Sequence, residues 1–312
     1  LKSDGFLAML EQSAVDDMNV ETARIDPLDW DGSGIRCGGV VMEGHEFLTS
    51  LQARNIETEF SRWELLKRAF VITSVNIAEL KLHLAPVSFR FREKPEGPRS
   101  WAEENILPDT FRLEKGSIDS LSVSYGEAGR LYVLDGARVE SAYDAGSSQY
   151  RFDVRGGKLL LPFQGCPEFS LMSGTAQFNH SSRRVNIPSC RLTTDAGGYL
   201  DIKGDWDGSS SSWTANVVVN GVPVSSILED HWRKHVHGSV SGGIDLRGGR
   251  DGVTHVAGLA RLQGGMLTGL PVLDRLALFC GSSRFRNLPL HGASAQFVYQ
   301  ESAWHISNIL VE

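Results

Sequence analysis

No stretch of this 312-residue chain holds the ~18 consecutive apolar residues that a membrane-spanning helix needs. Its four cysteines, Cys37, Cys166, Cys190 and Cys280, form no CxxC pair, which argues against a structural zinc site or a thioredoxin-like motif. They read as small half-buried apolar residues, Cys166 and Cys190 being the pair able to lie on neighbouring strands. Runs of basic residues are missing, and the formal net charge is −7. Nucleic acid is excluded as a main partner, because phosphate binding needs concentrated Lys and Arg, and a contiguous polybasic membrane patch is excluded with it. Proline is modest at 11 residues against 33 glycines, a balance that suits many tight turns rather than a proline-rich linker.

Catalytic signatures are equally scarce. There is no G-x-S-x-G, and Gly238-Ser239-Val240-Ser241-Gly242 has the wrong spacing, so its serines read as the polar side of a strand. Gly32-Ser33-Gly34 is too short for a dinucleotide loop and reads as a turn. His231 and His235 lie four apart on an expected helix, but the position where a metalloprotease carries its Glu is Trp232. A solvated helix face is the better reading. The carboxylate neighbours Glu103-Glu104, Asp29 with Asp31, and Asp205 with Asp207 read as solvated turns rather than a glycosidase pair. Trp30, Trp101, Trp206, Trp213, Trp232 and Trp304 read as packing residues. No catalytic residue, metal ligand or cofactor is expected.

What the chain does have is alternation. From about residue 110 onward, glycine or polar turns separate short runs with an apolar residue at every second position. Examples are Tyr150-Phe152-Val154, Leu200-Ile202, Ala215-Val217-Val219 and Ala295-Phe297-Tyr299. Strand side chains point alternately to opposite faces, so each run describes a ribbon with one apolar and one polar side. The spacing drifts, which disfavours a solenoid with fixed rungs and favours a meander of hairpins. The expected fold is mainly β: a long antiparallel meander curled into a U-shaped groove, with short helices at the N-terminus, near 223–235 and near 270–278. Upstream, strands are expected around Val20–Ile25, Ile35–Met42, Leu48–Ile56, Phe70–Ile77 and Glu79–Leu84, with one helical turn at Trp63–Arg68. Three regions follow: 1–92, a helix plus a β start; 93–110, an irregular loop; and 111–312, the repeating β groove.

The stretch Gly238–Gly248, followed by Val256 to Leu273 with its Gly264-Gly265-Met266-Leu267-Thr268-Gly269-Leu270-Pro271 ending, resembles the C-terminal region of AsmA-like proteins. Val222–Leu228 is similar to the helix that precedes this glycine phrase in the family. The start of the chain, with Arg24-Ile25-Asp26-Pro27-Leu28 and Phe70–Ile77, resembles the family's membrane-proximal, chorein-like start. The resemblance implies a trough with an apolar interior, a Gram-negative periplasmic setting and an inner-membrane anchor. It also implies a part in moving or organising phospholipid between inner and outer membranes. The chain opens without Met at Leu1, and a removed signal peptide or anchor is the expected antecedent; the chain also reads as a fragment of a longer protein.

The groove lining expected from alternation is Val123, Leu131, Val133, Phe152, Val154, Leu159, Leu161, Phe178, Val185, Ile187, Leu200, Ile202, Val217, Val219, Ile244, Leu246, Ala260, Leu262, Phe297 and Ile306. About twenty strands at roughly 4.8 Å each would span on the order of 90 to 100 Å. Expected partners are phospholipid or another acyl-chain lipid, the inner membrane, and an envelope or outer-membrane protein. The competing expectation is a carbohydrate-active or adhesive extracellular β protein, built as a solenoid or sandwich. A sheet whose apolar face is covered by a partner protein is a third.

Overall fold

The computed structural model describes residues 4–18, 20–30, 32–44, 47–61, 69–86, 110–127, 129–162, 166–179, 181–228, 230–249, 252–300 and 302–311. The expected helical turn at 63–68 and most of the expected 93–110 loop lie outside them. The protein is mainly β, with eighteen strands and a few short helices among the described residues. It divides into two compact units, Leu1–Lys158 and Leu159–Glu312.

The first unit opens with helix α1 (Asp4–Met18), whose half-buried positions 6, 7, 10, 11, 14 and 15 follow the spacing of one helical face. Glu11 anchors the helix to the strand that follows by accepting the Ile25 N–H at 2.9 Å. Strands β1 (Thr22–Ile25), β2 (Leu28–Trp30), β3 (Gly34–Glu43), β4 (Leu48–Phe60) and β5 (Ala69–Leu84) come next. β1 and β2 both pair with β3, and the ladder continues antiparallel through β4 to β5. Asp26, in the kink between β1 and β2, lies against Gly38 and Gly39, where a Cβ would stand 3.0 Å from its carboxylate.

β5 then pairs in parallel with β6 (Thr110–Leu113) and β7 (Lys115–Glu127). This seam is the exception to the expected antiparallel order. Beyond it, β7, β8 (Arg130–Asp144) and β9 (Gln149–Arg155) are antiparallel again. The two strands expected at 70–77 and 79–84 are one continuous strand. A slip in the side-chain phase at Ala78–Glu79 imitates a break in the sequence, and the sheet absorbs it. Neighbouring strands slip in the same row. In β4, Arg54 and Asn55 are both exposed and Asn55 takes φ 50°; in β7, Ile118 pairs with Val139 whereas Leu121 pairs with Ala137.

After β10 (Lys158–Leu160), the second unit is a run of consecutive antiparallel neighbours. These are β11 (Phe169–Asn179), β12 (Arg184–Thr194), β13 (Tyr199–Asp207), β14 (Ser212–Pro223), β15 (Val236–Gly249), β16 (Gly252–Thr268), β17 (Asn287–Gln300) and β18 (Ala303–Val311). The Gly208–Ser212 stretch is a tight turn closed by Asp207, which accepts the Ser209 N–H at 2.9 Å. The helix expected over 223–235 is present as two single turns, α2 (Val224–Ile227) and α3 (Asp230–Arg233), because Leu228 is extended with ψ 149°. The helix expected near 270–278 is α4 (Pro271–Cys280). Pro271 takes the first turn, where its missing N–H costs nothing, and Gly281 closes the end in the left-handed region at φ 63°.

Candidate functional site

Cross-strand register turns the alternation into rows. In the second unit one row reads Cys190–Ile202–Val217–Ile244–Gly258–Phe297–Ile306, and a neighbouring row reads Leu192–Leu200–Val219–Gly242–Ala260–Ala295. On the other flank lies Ile187–Gly204–Ala215–Leu246–Val256–Tyr299–Trp304, and outside it Phe178–Val185–Trp206–Trp213. Leu262 belongs to the row Val222–Val240–Leu262–Ala293. The thirteen expected lining residues from Phe178 to Ile306 thus share one face of one sheet.

The opposite face is polar. Arg191 grips Asp201 through two 2.7 Å hydrogen bonds, Asn216 donates to Asp245 at 2.8 Å, and Asn186 donates to Asp205 at 2.7 Å. Each joins register partners, which fixes strand alignment from the wet side. Hydrogen bonds from the Ser209 hydroxyl and amide, with a further one from Arg184, hold the Asp207 carboxyl down at about 2. A carboxyl of such low proton affinity stays ionised near neutral pH, which does not suit Asp207 to the proton-donating role in a glycosidase pair.

The first unit carries the same division. Its apolar rows are Cys37–Ile56–Ile77–Ile118–Val139–Val154, Val40–Ala53–Leu80–Leu121–Ala137 and Met42–Leu51–Leu82–Val123–Leu134. Val123 and Val154 sit in these rows, and Phe152, opposite Ser141, is on the same face. Leu131 and Val133 do not join them. They register with Gly126 and Ser124, on the side opposite Val123. The cause is a bulge at Asp135–Gly136, where Gly136 adopts φ 71°, so counting by twos through β8 gives the wrong side. Leu159 in β10 and Leu161 just beyond it are half-buried.

Alternation counting also overlooked members of the apolar face. Ala137, at 0% exposure, and Leu192 and Val222, at 2% each, are the most deeply buried of them, and Trp206, Trp213 and the whole β3–β5 portion were missed as well. Trp213 carried a signal in the glycine it registers with, Gly248, as the expected Phe297 does in Gly258, whereas Trp206 registers with Val185 and Trp213 and carried none. A Cβ on Gly248 would fall 2.4 Å from the Trp213 ring, and one on Gly258 would fall 2.5 Å from the Phe297 ring. Those rings lie over bare backbone.

Most of this face is neither sealed nor fully wet. Leu200, Ile202, Val219, Ile244, Leu246, Ala260, Leu262 and Phe297 are half-buried, and no large side chain among the described residues is fully buried. The cysteines are all free thiols: Cys37 buried, Cys166 and Cys190 intermediate, Cys280 exposed. Burial pushes the thiols of Cys37, Cys166 and Cys190 up. A water-soluble maleimide is therefore expected to modify Cys280 first and Cys190 at least about tenfold more slowly, since only thiolate reacts. Peptide mapping of a time course measures this; equal rates at the two sites would mean that the Cys190 row stands in open water.

The other features singled out from sequence do not converge. His235 Nδ1 lies 2.8 Å from the Thr268 carbonyl, past the end of α3, and His231 packs near Trp232. No group of three His, Cys, Asp or Glu side chains among the described residues is placed to hold a metal ion. A small polar notch in the first unit includes Ser33, Arg36, Glu57, Glu59 and Asn76, where Glu57 pairs with Arg36 at 3.5 Å and Glu59 accepts from Ser74 at 3.1 Å. Among the described residues no helix is long and apolar enough to cross a membrane. No family model matches this chain, and neither a curated protein nor a solved structure matches it.

Proposed function

We propose that this chain is a non-enzymatic lipid-binding protein of the bacterial envelope, with phospholipid acyl chains lying against the apolar face and head groups in water. One observation carries the reading. An apolar row runs through seven consecutive strands of the second unit, β12 to β18, and most side chains of this face are only half-buried. A sandwich would cover such a face with a second layer and drive these residues to a few per cent exposure. Acyl chains supply the missing cover, at about 0.8 kcal/mol per buried CH₂. Because neighbouring rows offer similar contacts, a chain can slide from strand to strand with little barrier, which suits transport between membranes.

The resemblance of the Gly238–Leu273 phrase to AsmA-like proteins supports the same reading and points to the periplasm, an inner-membrane anchor and outer-membrane homeostasis. Antiparallel pairing of each strand with the next from β11 to β18 speaks against a carbohydrate-binding solenoid, whose rungs pair in parallel at a fixed offset.

Gently extracted protein is expected to carry phospholipid near one-to-one or higher, measured by lipid mass spectrometry after gel filtration. A fully folded protein that is lipid-free, and that takes up no fluorescent phospholipid from micelles, would sink the proposal.

A further inference from the structure

The helical connections of the second unit lie at one end of its sheet. β14 runs into α2 and α3, β16 runs into α4, and Val236 at the start of β15 pairs with Leu267 at the end of β16. The two connections are stapled together. The Thr268 N–H donates to the His235 carbonyl at 2.9 Å, and the Thr268 hydroxyl donates to the Lys234 carbonyl at 3.0 Å.

This end is oily where a soluble surface should not be. Helix α4 buries Leu273 and Ala277, and its outer side carries exposed apolar residues beside Asp274 and Arg275. Val272 is 65%, Leu278 77% and Phe279 90% exposed, with Leu276 also open. Trp232 and Ile227 are exposed on the neighbouring connection. Apolar side chains this large and this exposed, gathered on two neighbouring connections, mark a surface that expects a cover.

The charge around it narrows the choice of cover. Residues 224–237 and 269–291 hold five Lys or Arg against three Asp or Glu, a local excess of positive charge in a chain of net charge −7. Arg233, Lys234, Arg275, Arg284 and Arg286 are all exposed there, and Arg286 stands 3.7 Å from Asp274. No run of basic residues marks this in the sequence; folding gathers them from two connections.

We infer that this helical end is a membrane-docking surface, seating Val272, Leu278, Phe279 and Trp232 at the interface of an anionic phospholipid bilayer with the basic side chains at its phosphates. Aromatic and aliphatic tips beneath a basic rim are the features that hold a short helix in the plane of a membrane. A protein partner would need acidic groups around an apolar socket, and it is an outcome of the test below. The inference stands apart from acyl-chain binding on the sheet, since it draws on different residues.

The full chain is mixed with sedimenting vesicles of phosphatidylcholine alone or of phosphatidylcholine with phosphatidylglycerol. The wild type is expected to pellet with the mixed vesicles and much less with the neutral ones. The Leu278→Ser/Phe279→Ser variant should bind mixed vesicles roughly tenfold more weakly, with unchanged circular dichroism because both side chains lie outside the core. Arg275→Gln/Arg284→Gln should bring binding on mixed vesicles down to the neutral-vesicle level. A change of Ile202 and Ile244 to Glu, on the sheet face, should leave vesicle binding intact. The inference is overturned if the wild type fails to pellet with mixed vesicles, or if the Leu278/Phe279 variant binds as well as wild type. It is equally overturned if the Ile202/Ile244 variant loses vesicle binding. If the Leu278/Phe279 variant instead only dissociates an oligomer on gel filtration, the surface is a protein contact and the membrane assignment falls.

Discussion

Glutamate at both Ile202 and Ile244 is expected to leave the purified protein with at least about tenfold less phospholipid than wild type, by mass spectrometry, while its circular dichroism stays that of a β-sheet. The two side chains flank Val217 in one row of the apolar face, and both are only half-buried. Two carboxylates there can stay hydrated while the face is empty, so the cost to folding is modest. Once hydrocarbon covers the row, the same carboxylates lose water and gain no partner, a penalty of several kcal/mol. Val218→Lys is the control: Val218 is 43% exposed on the polar side, opposite Asp201, and its replacement should not change lipid content. If the Glu pair carries as much lipid as wild type, the acyl chains bind elsewhere or not at all.

The second large effect concerns backbone packing. Gly198, in the turn between β12 and β13, has φ 80°, and a Cβ on it would lie 2.6 Å from the carbonyl carbon and oxygen of Gly221 and from the Cα of Val222. Backbone cannot swing aside as a side-chain tip can. Gly198→Ala therefore combines a disfavoured conformation with an overlap that must displace β14, at about 3 to 5 kcal/mol. Its neighbour Gly197 has φ 99° but meets nothing within 4 Å, so Gly197→Ala should cost only about 1 kcal/mol, the conformational part alone. Urea unfolding of the two variants separates these costs. Equal midpoints would show that the close approach of the Gly198 turn to Gly221 is not maintained in solution.

The sequence was most legible where turns announce themselves. In the second unit, polar or glycine tips such as Asp195–Gly198 and Gly208–Ser212 separate clean alternations, and all thirteen residues assigned there to the apolar side share one face. Even so, β12 shifts phase between Ile187 and Cys190, and that shift kept Cys190 and Leu192 out of the expected lining. Slips of this kind occur in the first unit as well. A reading by twos cannot tell a bulge at Asp135–Gly136 from a change of side, so Leu131 and Val133 went to the wrong face. At Ala78–Glu79 the same ambiguity split one strand into two. The parallel seam had no local signature, because strand direction across a crossover is decided by which edge the returning chain meets. The helical end of the second unit was hidden for a related reason: its cations are scattered in sequence and adjacent only once β15 and β16 pair.

That seam has a kinetic side. From β11 to β18 each strand finds its partner by closing the short connection just made, so ladder growth can proceed by zippering, one neighbour at a time. β5 ends at Leu84 and its parallel neighbour β7 begins at Lys115, so this pairing must await a much larger loop, whose closure loses entropy before any contact repays it. The two halves of the chain thus face different search problems during synthesis, although they finish as the same kind of sheet.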